Sequence, residues 1–178
     1  MSPRLRRAGI PDASAIAGIY VETWREAYPG MLPDRMLLAM SRARQTQSWR
    51  GSICDPGQSV LLAEDGRGEA IGFGSCGGTR HSSLPFSGEI YTLYVAPDHQ
   101  RRGIGSLLLT GLIRELYRVG HHAALVWALA DNPSRFFYEA MGASLVAERS
   151  EILWGRRVRQ HAYGWRDLDA WLAQLADR

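Results

Sequence analysis

With 178 residues, 46% of them apolar, the chain can enclose a sizeable core and is too hydrophobic to stay disordered. Its formal charge of +3 rests on 21 arginines and no lysine, dispersed along the chain rather than gathered into the basic stripe of a nucleic-acid-binding protein. No apolar run approaches the ~20 residues that span a bilayer, the N-terminus does not read as a signal peptide, and Cys54, Cys76 and the five histidines lack ligand spacing. The expectation is a cytoplasmic protein with no metal, no membrane and no nucleic-acid partner.

The pattern predicts a short first strand at Arg4 to Ala8, then a helix capped by Asp12 and running to about Tyr28. A second helix opens at Pro33-Asp34 and continues to about Trp49. Ser59 to Glu64 and Ala70 to Cys76 read as a hairpin across Asp65-Gly-Arg-Gly68. After a loop over Gly77 to Ser87 come a strand from Glu89 to Ala96, a basic turn and a helix with an apolar stripe through Leu107, Leu108, Leu112 and Leu116. His122 to Ala130 is apolar on both faces, as a central strand should be. A short helix from Pro133 ends at Gly142, two strands (Ser144 to Trp154 and Val158 to Trp165) flank Gly155, and an amphipathic helix over Asp167 to Ala176 closes the chain. Neither repeats nor long linkers interrupt this order, so residues 1–178 are expected to form one mixed α/β domain.

Glu89 to Gly120 organises the rest. Its strand, glycine-containing basic turn and helix make an anion site in principle. Glycines let backbone approach a ligand, and the first N–H groups of a helix lack internal partners and carry the positive end of its dipole. The turn is neither a dinucleotide fingerprint nor a P-loop, which needs a lysine. Its wording, Gln-Arg-Arg-Gly-Ile-Gly at 100–105 after Leu-Tyr-Val-Ala-Pro, resembles the GNAT superfamily of N-acetyltransferases, as does Asn132-Pro-Ser-Arg-Phe-Phe-Tyr-Glu-Ala-Met-Gly142. The resemblance covers almost the whole chain. It implies a central, mostly antiparallel sheet of about seven strands, splayed between the fourth and fifth and flanked by helices.

The same resemblance implies acetyl-CoA as co-substrate, its pyrophosphate held by Gln100, Arg101, Arg102, Gly103, Ile104, Gly105 and Ser106. The backbone of Leu93, Tyr94 and Val95 lies along the pantetheine arm, and Asn132 and Phe137 complete the cofactor set. Tyr138 takes the place of the general acid that protonates the CoA thiolate. Glu89, at a strand start and 100 − 89 = 11 positions before Gln100, takes that of the general base, directly or through water; a carboxylate partly withdrawn from water is expected there. Trp24, Tyr28 and Met31, in the segment that walls the acceptor site in the family, and Tyr91, on the same strand face as Glu89, are the candidate acceptor contacts. The function implied is direct transfer of acetyl to a primary amine of a small molecule, peptide or protein in a ternary complex. A non-catalytic acyl-CoA sensor on the same fold stays open as the alternative, and a homodimer as an open assembly.

Overall fold

The computed structural model describes residues 2–80 and 83–176. The strands are β1 (Arg4–Arg7), β2 (Gln58–Glu64), β3 (Ala70–Gly78), β4 (Gly88–Val95), β5 (Ala124–Leu129), β6 (Ser144–Leu153) and β7 (Arg156–Trp165). The helices are α1 (Ala13–Ala27), α2 (Asp34–Ala39), α3 (Arg42–Cys54), α4 (Ile104–Arg118), α5 (Ser134–Ala140) and α6 (Leu168–Ala176). The sheet runs β1-β2-β3-β4-β5-β7-β6. β1/β2, β5/β7 and β6/β7 are antiparallel, and β4/β5 is the parallel pair. That pair holds register from Gly88↔Ala124 only to Ile90↔Val126, although β4 continues to Val95 and β5 to Leu129. The seven-stranded mixed fold expected from the sequence is therefore present.

The chain falls into two compact units, Met1–Ser75 with Thr92–Leu112, and Cys76–Tyr91 with Ile113–Arg178. In the first, α1 buries Ile16, Ala17 and Ile19 against Trp49 of α3, Val60 and Leu62 of β2 and Phe73 of β3. Helix α4 reaches the sheet through glycine. A Cβ on Gly74 would sit 2.6 Å from Cδ1 of Leu112 and 2.9 Å from the Thr92 carbonyl oxygen, so only hydrogen fits there. In the second unit β7 buries Ala162, Tyr163 and Trp165, and β5 buries Ala124, Leu125 and Val126.

Three local expectations are corrected. The helix predicted from Pro33 to Trp49 is two helices, because Met40 and Ser41 are extended; the Ser41 hydroxyl caps α3 by accepting from the Arg44 N–H, and Arg25 donates to the carbonyls of Leu37, Leu38 and Met40 at the end of α2. Asp12 stands at the N-cap position of α1, but its side chain makes no capping bond. Its carboxylate turns back to accept from the Gly9 N–H at 2.7 Å and from both terminal nitrogens of Arg6. Trp154 belongs to the turn and not to a strand: with φ 49° at Trp154 and 80° at Gly155, both central residues of the β6/β7 hairpin are left-handed.

Candidate active site

In the first unit the strand-to-helix turn takes a shape that its sequence dictates. Pro97–His99 form a 3₁₀ turn after β4, Arg101 (φ 57°) and Gly103 (φ 80°) are both left-handed, and α4 starts at Ile104. The first bond of that helix runs from the Leu107 N–H to the Gly103 carbonyl at 3.0 Å. The N–H groups of Ile104 and Gly105 come before it and find no acceptor among the described residues. Gln100 is turned back, its amide donating to the Val95 carbonyl at 3.2 Å, which ties the turn to the end of β4. Arg101 and Arg102 are exposed, and neither guanidinium has an ionic partner among the described residues. Donor amides, a helix N-terminus and two uncommitted cations fit a diphosphate.

Beside the turn, an aromatic group joins residues from both predicted sets. Tyr94 of β4 meets Tyr20 (ring centroids 5.6 Å apart) and Phe73 (5.7 Å); Tyr20 meets Trp24 (5.0 Å), and Trp24 meets Tyr28 (4.8 Å). Burial foremost, then the neighbouring Tyr28 and Tyr20 hydroxyls, pushes the Tyr94 hydroxyl well above the usual tyrosine range; Trp24 acts the other way. Trp24 and Tyr28 thus pack on a strand residue expected beside the cofactor. Met31 lies in the turn that follows, its N–H on the Tyr28 carbonyl. A cavity of about 550 Å³ opens between the C-terminal half of α1 (Glu22, Arg25, Glu26) and the 3₁₀ turn (Pro97, Asp98, His99).

In the second unit Glu89 is withdrawn from water completely, beyond the partial withdrawal expected, and acquires a partner that the sequence did not single out. Its Oε2 accepts from the Arg80 backbone N–H at 2.9 Å, and its Oε1 from Arg80 Nε at 3.1 Å and Nη2 at 2.5 Å. The reason is geometric: β3 and β4 are joined by a connection whose ends are bonded, Thr79 N–H to the Ser87 carbonyl, and this brings Arg80 over the start of β4. The Arg80 guanidinium also lies 4.6 Å above the ring of Tyr91, whose hydroxyl donates to the Gly78 carbonyl at 2.5 Å.

Tyr138 is 6% exposed on α5, stacked on Tyr163 at 6.2 Å and edge-on to Trp165 at 6.3 Å, with Phe137 at 5.3 Å. The helix is pinned at both ends. Asn132 Oδ1 accepts from the Ser134 N–H at 2.9 Å, leaving the amide nitrogen of Asn132 without a partner among the described residues. At the other end the indole N–H groups of Trp165 (3.0 Å) and Trp171 (2.7 Å) both donate to the Met141 carbonyl. Arg80, Trp165 and Trp171 escaped the sequence reading. The only signal for the two tryptophans was their place on apolar stripes, and Arg80 offered none.

Residues 16–143 match the acetyltransferase (GNAT) family. The chain is similar over 93% of its length to the uncharacterized N-acetyltransferase YuaI of Bacillus subtilis, at 31% identity and covering 94% of that protein. It is 32% identical over 68% of its length to an L-methionine sulfoximine/L-methionine sulfone acetyltransferase of Pseudomonas paraeruginosa, again covering 68% of that protein. Among solved structures, yncA of Salmonella typhimurium, determined with its cofactor acetyl-CoA, superposes with a TM-score of 0.72 at 23% identity, covering 95% of both chains. The left-handed turn opening α4, the sheet order and these likenesses agree: the chain belongs to the acetyltransferase (GNAT) family.

Proposed function

We propose that the protein transfers the acetyl group of acetyl-CoA to a primary amine of a small molecule or peptide by direct attack in a ternary complex. The observation that carries this reading is the turn at 100–105, where the N–H groups of Ile104 and Gly105 and the guanidinium groups of Arg101 and Arg102 have no acceptor or ionic partner among the described residues. These groups, with Ser106, hold the diphosphate, while Gln100 fixes the turn to Val95. The backbone of Leu93, Tyr94 and Val95 serves the amides of the pantetheine arm, and the Asn132 amide and Phe137 complete its binding.

Acetyl-CoA supplies a thioester carbonyl. In the transfer a C–N bond forms and the C–S bond breaks; the amine gives up a proton, and the departing thiolate takes one from the Tyr138 hydroxyl. The stacking of Tyr138 on Tyr163 and the pinning of α5 through Met141 hold that hydroxyl in a fixed direction. The amine proton passes to Glu89 as the proposed base, directly or through water. Trp24, Tyr28 and Met31 of the first unit serve as acceptor contacts, as does Tyr91 of the second.

The test is thiol release from acetyl-CoA across a library of amines. Turnover with at least one amine, and a Tyr138→Phe variant slowed about 10²–10⁴-fold in kcat with CoA affinity retained, is the expected result. CoA binding without turnover across the library would make the protein an acyl-CoA sensor and refute the proposal.

A further inference from the structure

An arginine side chain with 59% exposure ordinarily samples many rotamers; Arg80 is held three ways. Nε and Nη2 grip Oε1 of Glu89, its own backbone N–H grips Oε2, and its flat face rests on Tyr91, itself anchored through the Gly78 carbonyl. The outer edge is left over: no described residue accepts from Nη1. A guanidinium has five N–H donors in a rigid fork and can serve two carboxylates together. Arg6 of this chain does so, holding Asp12 through Nη1 and Nη2 and Glu64 through Nε.

From this geometry we infer that Arg80 is a specificity-determining residue that grips a carboxylate on the acceptor, so that the acceptor class is an amino acid. The inference rests on the acetyl-transfer reading and deepens it. An acceptor whose amine passes its proton towards Glu89 must approach a carboxylate covered by Arg80. In an α-amino acid the carboxylate and the amine share one carbon, so the amine is presented beside Glu89 when the carboxylate takes the free edge of Arg80. Because the guanidinium is already oriented, the ordering cost of that contact is small. Because Glu89 neutralises it at long range, the contact discriminates by short-range hydrogen-bond geometry and adds little steering. An acceptor bearing a second ammonium in that place meets a cation and is rejected.

The experiment compares kcat/KM for L-phenylalanine with phenethylamine, and for L-methionine with 3-(methylthio)propylamine, in wild type and in Arg80→Lys. That variant keeps a positive counter-charge for Glu89 and removes the fork. Any general weakening of the site cancels in the ratio of amino acid to matched amine. The wild type is expected to prefer the amino acids, and the variant to lower that ratio about 10-fold or more, through KM. A wild-type ratio near one, or a ratio unchanged in Arg80→Lys, overturns the inference and leaves Arg80 as the counter-ion of Glu89 alone, with acetyl transfer intact. Should no amine be acetylated, the acetyl-transfer reading fails on its own, and calorimetric titration of L-phenylalanine onto the CoA-loaded protein still decides. Equal or absent heat in wild type and variant overturns the inference; binding lost in the variant upholds the carboxylate grip.

Discussion

Oε1 of Glu89, on a side chain with no solvent exposure, lies 2.5 Å from Nη2 of Arg80, on a side chain 59% exposed. The asymmetry sets the energetics of the pair. Arg80→Ala leaves a buried carboxylate without its cation, whereas Glu89→Gln leaves a cation that water can reach. Arg80→Ala is expected to cost about 2 kcal/mol of stability, below the ~3–5 kcal/mol typical of a wholly buried pair because one partner is already wetted. The double variant Arg80→Ala/Glu89→Gln should recover part of that loss. Urea denaturation of the two single variants and the double checks it, and strictly additive losses would contradict the pairing.

The proposed diphosphate turn predicts a separable pair of effects. Arg102→Ala should weaken CoA binding and flatten its dependence on salt, with the fold unaltered, since the side chain is exposed and has no partner among the described residues. Gly103→Ala puts a Cβ on a residue with φ 80°, which costs ~1–2 kcal/mol of backbone strain even though no atom lies within 4 Å of that Cβ. It should lower both stability and CoA affinity. Calorimetry with CoA at two salt concentrations, beside thermal unfolding, distinguishes the two variants.

What was legible in the sequence is what local chemistry enforces. The turn before α4 could be read because glycine, arginine and helix start must stand at fixed intervals for backbone to meet an anion. β5 could be read because a strand covered on both faces is apolar throughout. The break at Met40 and Ser41 has neither proline nor glycine, and it appears only once Arg25, from another helix, satisfies the exposed carbonyls. Glu89 is a candidate through the likeness of its spacing from Gln100 to the family's, but its partner Arg80 sits in a connection without periodicity. The hydrogen bonds of Trp165 and Trp171 on Met141 depend on where an indole nitrogen ends up, which an apolar stripe does not encode.

The two close-packed glycines of the first unit should respond unequally to the same change. A Cβ at Gly111 would meet the Leu5 methyl Cδ2 at 2.2 Å, the far end of a flexible side chain on the outermost strand β1. At Gly74 the obstacles are Leu112 Cδ1 at 2.6 Å and the Thr92 carbonyl oxygen at 2.9 Å, and backbone in the middle of a sheet has nowhere to go. Gly74→Ala is therefore expected to destabilise by about 2–3 kcal/mol and Gly111→Ala by about 1 kcal/mol, where the helix propensity of alanine offsets part of the clash. Chemical denaturation gives both values, and the reverse order would mean that the sheet yields more easily than β1.

Acid should loosen the N-terminal corner of the first unit through Asp12. The hydrogen bonds from Arg6 hold its carboxyl below the usual aspartate value; burial opposes them, and the Gly9 N–H adds to them. A folded-state value below that of the unfolded chain, about 3.9 for aspartate, means that the unfolded state binds the proton more readily. The stabilisation is then complete above the unfolded value and disappears as pH falls through the folded one. In Asp12→Asn that pH-dependent part is absent. The variant should be less stable than wild type near neutrality, and the difference should shrink as pH drops below about 4. Thermal unfolding of both proteins between pH 7 and the lowest pH that keeps them soluble measures the difference, and a constant gap across that range would show that the carboxylate contributes nothing through its charge.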